Sequence, residues 1–135
     1  MNPEKIIQQL ESNNSSLFKQ DVLAQNIDNQ EFINGATKCL DPLITFGVKQ
    51  VPFSEQDGDG ITFDEFNDLA TDLEFRQLTG HAARDAIQAL CDKATNEQWN
   101  DWYRRILIKD LRCGTGAKLI NKVKKDTIPL FGCML

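Results

Sequence analysis

No apolar run in this chain approaches the roughly 18 residues that a bilayer-spanning helix needs, so a membrane span is excluded. The first residues, MNPEKIIQQLES, carry acids and glutamines where a secretory signal would carry a basic start and a long apolar run. A cytoplasmic protein with no membrane partner is expected. Histidine occurs once, at His81, and the cysteines Cys39, Cys91, Cys113 and Cys133 form no Cys-x-x-Cys pair. Zinc-ligand spacing is therefore missing, and scattered thiols in a reducing compartment read as packing residues. The sequence also has no Walker-type loop, and no Ser or Cys nucleophile identifiably partners His81. No alternating apolar–polar stretches pair up as strands. Catalysis, metal binding and β-structure thus lack their usual signals.

What is present is the composition of an ordinary soluble globule: 135 residues, 41% apolar and 26% charged. The length predicts one domain, 1–135. Its net charge of −5 hides an asymmetry. Residues 1–75 hold 4 bases and 14 acids, whereas residues 76–135 hold 11 bases and 6 acids. A polyanion responds to the local field, which makes 76–135 the candidate binding half and 1–75 an acidic half.

Helical periodicity runs through the chain. Pro3 opens a helix with Ile6, Ile7 and Leu10 on one side. Ser16 is placed to cap a second, and Asp28 with Glu31 forms a capping box for a third that ends at Asp41-Pro42. Residues 42–61 are the least regular. Further boxes at Thr62–Glu65 and Thr95–Gln98 open helices bearing Phe66, Ala70 and Leu73, and Trp99, Trp102, Tyr103 and Ile106. Between them a helix is predicted over His81–Ala94, and a last one carries Ala117, Ile120 and Val123. The tail from Thr127 to Leu135 is extended and apolar, which suggests a domain cut from a longer polypeptide. The predicted fold is all-α: a compact bundle of about seven helices with helix–turn–helix corners at glycine turns.

Four patterns carry possible chemistry. Residues 104–125 contain Arg104, Arg105, Lys109, Arg112, Lys118, Lys122, Lys124 and Lys125 against the single acid Asp110. Within them Cys113-Gly114-Thr115-Gly116-Ala117-Lys118 reads as a glycine turn feeding a helix start, where free amides, the helix dipole and a lysine could seat an anion. A basic run is equally a solvated helix face. A weak echo at an offset of 34 pairs Gly80, Ala83 and Arg84 with Gly114, Ala117 and Lys118. Two such turns, with His81 at a helix start, could hold two phosphates, or they are ordinary corners. The segment Asp57-Gly58-Asp59-Gly60 resembles an EF-hand loop but is one residue short in either register, so it reads as a polar turn. Trp99, Trp102 and Tyr103, at helical spacing, read as core rather than as base-stacking platforms.

The run Leu78-Thr-Gly-His-Ala-Ala83, then Arg105-Ile-Leu-Ile-Lys-Asp-Leu-Arg-Cys-Gly-Thr-Gly116, then Ala117-Lys-Leu-Ile-Asn-Lys-Val123, resembles the N-terminal DNA-binding domain of ATP-dependent DNA ligases. The likeness is greatest to the compact ligases of large tailed bacteriophages, over residues 75–129. It implies a helical domain that grips nicked double-stranded DNA across the minor groove without reading sequence, in an enzyme serving replication, repair and recombination. The residues it implicates, together with the basic turns, are Gly80, His81, Arg84, Lys109, Arg112, Gly114, Thr115, Gly116, Lys118, Lys122 and Lys124. The family's AMP-bearing lysine lies in a Lys-x-Asp-Gly motif, whereas Asp57-Gly58 and Asp59-Gly60 here follow Glu55 and Asp57 at the lysine position. The chain alone is thus expected to be inactive, monomeric and free of cofactor. ATP and Mg2+ would belong to a covalently linked catalytic domain after residue 135. A helical interaction module without DNA affinity, or a calcium-binding protein, are the alternatives.

Overall fold

The computed structural model describes residues 2–48, 50–125 and 127–128, and every regular element among them is helical. The elements are α1 (Pro3–Glu11), α2 (Ser16–Asn26), α3 (Gln30–Leu40), α4 (Phe63–Glu74), α5 (Gly80–Lys93), α6 (Asn96–Gln98), a π-helical turn (Trp99–Tyr103), α7 (Arg104–Leu107) and α8 (Ala117–Val123). The π turn joins α6 to α7 without a break, so the described residues form seven helical rods. The all-α class is as the periodicity predicts. None of these helices is long and apolar enough to cross a membrane. Lys49, Cys133 and most of the apolar tail lie outside the described residues.

The chain divides into two units, Met1–Ile44 with Lys109–Leu135, and Thr45–Ile108. In the first, α2 packs against α1 and α8. Pro3 sits in the first turn of α1, where its missing N–H costs nothing, and Ile6, Ile7 and Leu10 are fully buried. Ser15 rather than Ser16 caps α2, its hydroxyl accepting from the Phe18 N–H. Asn29 rather than Asp28 caps α3, accepting from the Phe32 N–H at 3.2 Å. In both cases the cap is the residue with extended backbone, which alone can turn its side chain back onto the first amides. Phe32, Ala36 and Cys39 form the buried face of α3.

In the second unit the Thr62–Glu65 box forms with both reciprocal bonds, and Glu65 also pairs with Lys93 at 2.6 Å. The Lys93 ammonium, helped by the Thr62 N–H, holds the Glu65 carboxyl below its usual value. Trp99, Trp102, Tyr103 and Ile106 are all buried, and the Phe66 ring stacks on Tyr103 at 4.5 Å. These aromatics are core. The irregular stretch is held by side-chain amides that bond both backbone groups of one residue: Asn100 on Ser54, and Gln98 on Ile61. The acidic loop has a job of its own. Asp57 accepts from the Asn96 N–H at the start of α6, while the Gly58 and Gly60 N–H groups donate to the Ala94 and Lys93 carbonyls. A Cβ on Gly58 would collide with the Lys93 carbonyl, so the loop needs glycine to close on the α5–α6 junction.

Cys39, Cys91 and Cys113 are buried and form no disulfide among the described residues. Burial pushes the Cys39 thiol from 9.0 up to about 12 and the Cys91 thiol up to about 11. A thiol that ionises later in the folded than in the unfolded state favours folding fully below pH 9.0 and progressively less above it. Stability is therefore expected to fall as pH rises from 9 towards 12, and Cys39→Ala should flatten that slope. Urea unfolding at pH 8, 9.5 and 10.5 measures it; an unchanged slope in the variant would contradict the assignment.

Candidate nucleic-acid interface

The candidate residues fall in both units. In the first, residues 109–116 form a strap whose residues face alternately in and out. Leu111, Cys113 and Thr115 are buried, while Asp110, Arg112, Gly114 and Gly116 are exposed. Its shape is locked at both levels. Asp110 accepts from the Arg112 N–H, and Arg112 and Gly114 adopt φ of 56° and 70°, in the left-handed region. On the inner side Lys19 of α2, itself only 6% exposed, donates to the Cys113 carbonyl at 2.9 Å. A Cβ on Gly114 would lie on the Lys19 ammonium, so this glycine answers both to its φ and to a buried lysine. No local sequence signal pointed to Lys19.

The inner and outer residues have different chemistry. The Thr115 hydroxyl is buried with no nitrogen or oxygen partner among the described residues. It leans towards the Cys113 sulfur, where it opposes the burial that dominates and raises that thiol. Lys109 faces inward as well: its ammonium donates to the carbonyls of Lys38, at 3.1 Å, of Asp41, at 2.8 Å, and of Ile44. An ammonium has three N–H donors, so Lys109 is engaged in closing the C-terminal end of α3. The outer residues are of another kind. Arg112, Lys118, Lys122 and Lys124 are exposed with side chains that meet no partner among the described residues. Lys118 and Lys122, four apart on α8, share one helix face. Gly116 is the N-cap of α8, which has no side-chain cap. Asn121, from the matched Asn-Lys-Val run, bonds both backbone groups of Ile128.

In the second unit the structure brings Gly80, His81 and Arg84 together on the rim of an open groove of about 980 Å³. Arg76 and Arg104 line the same groove, and among the described residues lining it there is no carboxylate. Arg76 is anchored, its guanidinium donating to the Leu73 and Thr45 carbonyls, and Arg104 donates to the Val51 carbonyl and lies 3.7 Å over the Phe53 ring. Arg84 and His81 are exposed and carry no such bonds. Gly80 has φ of 57°, opens α5 without a side-chain cap, and has nothing within 4 Å of where a Cβ would be. The two glycine turns are thus alike in backbone but not in register: Ala83 lies one turn inside α5, whereas Ala117 is the first residue of α8. The sequence did not point to Arg76 and Phe53 of this groove, and it marked Arg104 only as a member of the basic run 104–125.

Comparison with known proteins follows the same lines. A solved chain named Pmar-Lig_PreS3 is 45% identical, with a TM-score of 0.93 over 97% of this chain. Another, named Pmar-Lig_Pre., is 45% identical, with a TM-score of 0.90 over 93% of this chain. The matches cover 32% and 30% of those chains, so this chain spans about a third of their length. No protein-family model matches, and no curated protein does. The likeness supports a ligase-associated domain.

Proposed function

From that likeness we propose that this chain is the DNA-holding N-terminal part of an ATP-dependent DNA ligase, and that it binds nicked duplex DNA through the minor-groove backbone without reading sequence. The observation that carries the reading is the carboxylate-free groove on which the exposed Gly80 turn, His81 and Arg84 meet Arg76 and Arg104. In the other unit the outward residues of the strap and α8, Arg112, Lys118, Lys122 and Lys124, offer exposed cations that meet no partner among the described residues. Such groups neutralise phosphates and release counterions, which gives affinity without sequence preference. Held on both sides of a nick, the two ends stay near each other, and sealing becomes effectively unimolecular for a covalently linked catalytic domain.

ATP and Mg2+ belong to that linked domain in this reading, because the residues here do not fit the nucleotide. The position of the adenylated lysine is taken by Glu55 or Asp57, and Asp57 is already engaged on the Asn96 amide. Lys109 contributes by fixing the strap, and the exposed cations make the contacts.

Fluorescence anisotropy of a nicked duplex against the full chain over a salt series tests the proposal. With about 4–6 phosphates neutralised, the log–log salt slope should be roughly −4 to −5 and the same for unrelated sequences. No binding even at low salt would overturn it and leave a helical interaction module.

A further inference from the structure

Phe53 lies in the groove of the second unit with 58% of its surface exposed. One of its faces is taken: the Arg104 guanidinium lies 3.7 Å over the ring and is itself fixed by the Val51 carbonyl. The arginine orients the ring, and the ring has apolar surface still in contact with water. Arg76, Arg84 and His81 line the same groove, with no carboxylate among its described residues. A flat apolar surface set among cations matches a ligand with a compact apolar body between two anionic groups.

We propose that Phe53 packs against the apolar face of a deoxyribose in the DNA backbone, between phosphates met by His81 and Arg84. This rests on the DNA-holding reading and adds a contact of another physical kind. Phosphate contacts act through counterion release and appear in the salt slope, whereas burial of an apolar sugar face is independent of salt. A sugar contact also suits a protein that does not read sequence, since every nucleotide presents the same ring. The duplex keeps its bases stacked inside, so the sugar edge is the apolar surface that a rim residue meets first.

The full chain, with Phe53→Ala, Phe53→Trp and Arg84→Ala, is titrated with nicked duplex DNA over the same salt series. Phe53→Ala is expected to weaken binding roughly tenfold with an unchanged salt slope. Arg84→Ala should weaken binding and lower the slope by about one. Phe53→Trp should retain affinity and show tryptophan quenching that saturates together with the anisotropy. Because Phe53 is mostly exposed, Phe53→Ala should melt within a few degrees of the unmodified chain; should it unfold, the Phe53→Trp titration decides alone. DNA binding by the unmodified chain with neither an affinity loss in Phe53→Ala nor quenching in Phe53→Trp would overturn the sugar contact and leave the DNA-holding reading standing. An affinity loss in Phe53→Ala accompanied by a lower slope would also overturn it, since the ring would then act through Arg104. No binding by the unmodified chain would overturn both.

Discussion

Lys109→Met is expected to destabilise the protein by about 2–4 kcal/mol and to leave the salt slope of DNA binding unchanged. The reasoning starts from the three carbonyls of Lys38, Asp41 and Ile44 that share its ammonium. A helix ends with carbonyls that have no partner in the helix, and α3 runs into Asp41-Pro42, where no regular cap continues. A cation at this end also meets the negative pole of the helix dipole. Methionine keeps the length and apolar stem of lysine but removes all three donors. The Asp41 carbonyl keeps the Ile44 N–H at 3.1 Å, so the loss falls on the Lys38 and Ile44 carbonyls, at roughly 1–3 kcal/mol each, less what water recovers. Urea unfolding gives the stability and the anisotropy series gives the slope. A variant of full stability whose slope drops by about one would mean that Lys109 leaves the carbonyls to bind phosphate, and the assignment would fail.

Arg112→Asn combined with Lys118→Ala should have the opposite signature: little change in stability, a slope reduced by about two, and affinity lower by roughly a hundredfold near 0.1 M salt. Each phosphate contact contributes about 0.9 to the slope, which near 0.1 M is about tenfold per cation. Asparagine is chosen at position 112 because it tolerates the left-handed backbone seen there, so that charge is removed without straining the strap. A hundredfold loss with the slope intact would indicate a distorted strap instead, and a melting curve of the double variant would show it. Together the two experiments separate the basic residues that build the site from those that would touch DNA.

That separation could not be read along the chain. Arg104, Arg105 and Lys109 look, in sequence, like members of one basic run with Arg112 and Lys118. Arg105 in fact donates to the Asn100 carbonyl and pairs with Asp101, and Lys109 closes a helix about 70 residues earlier. Whether an ammonium is exposed or engaged depends on what the fold brings to it, and spacing says nothing of that. Lys19 is the reverse case, a lone lysine on a helix that becomes the buried support of the Gly114 turn. Local features were legible. The Thr62–Glu65 and Thr95–Gln98 boxes form as written, since every atom involved lies within one helical turn. The α3 cap shifted by one residue because Asp28 and Asn29 are chemically equivalent candidates, and only backbone conformation chooses between them. The in-and-out alternation of residues 109–116 was not legible, because the turn signal of its glycines is the stronger one in a helical context.

The division of the chain also sets an order of events at the ribosome. The unit Thr45–Ile108 is continuous, so every residue that its internal contacts need has been synthesised once Ile108 is made. The other unit is assembled from two segments on either side of it, and the bond from Lys19 to the Cys113 carbonyl spans 94 residues of sequence. Helix α2 is therefore synthesised early and completed late, since it packs against α8 as well as α1. Folding the intervening unit first shortens the effective loop that this closure must span, since an already compact insert replaces a flexible one. The basic strap is the seam at which the nascent chain finally closes.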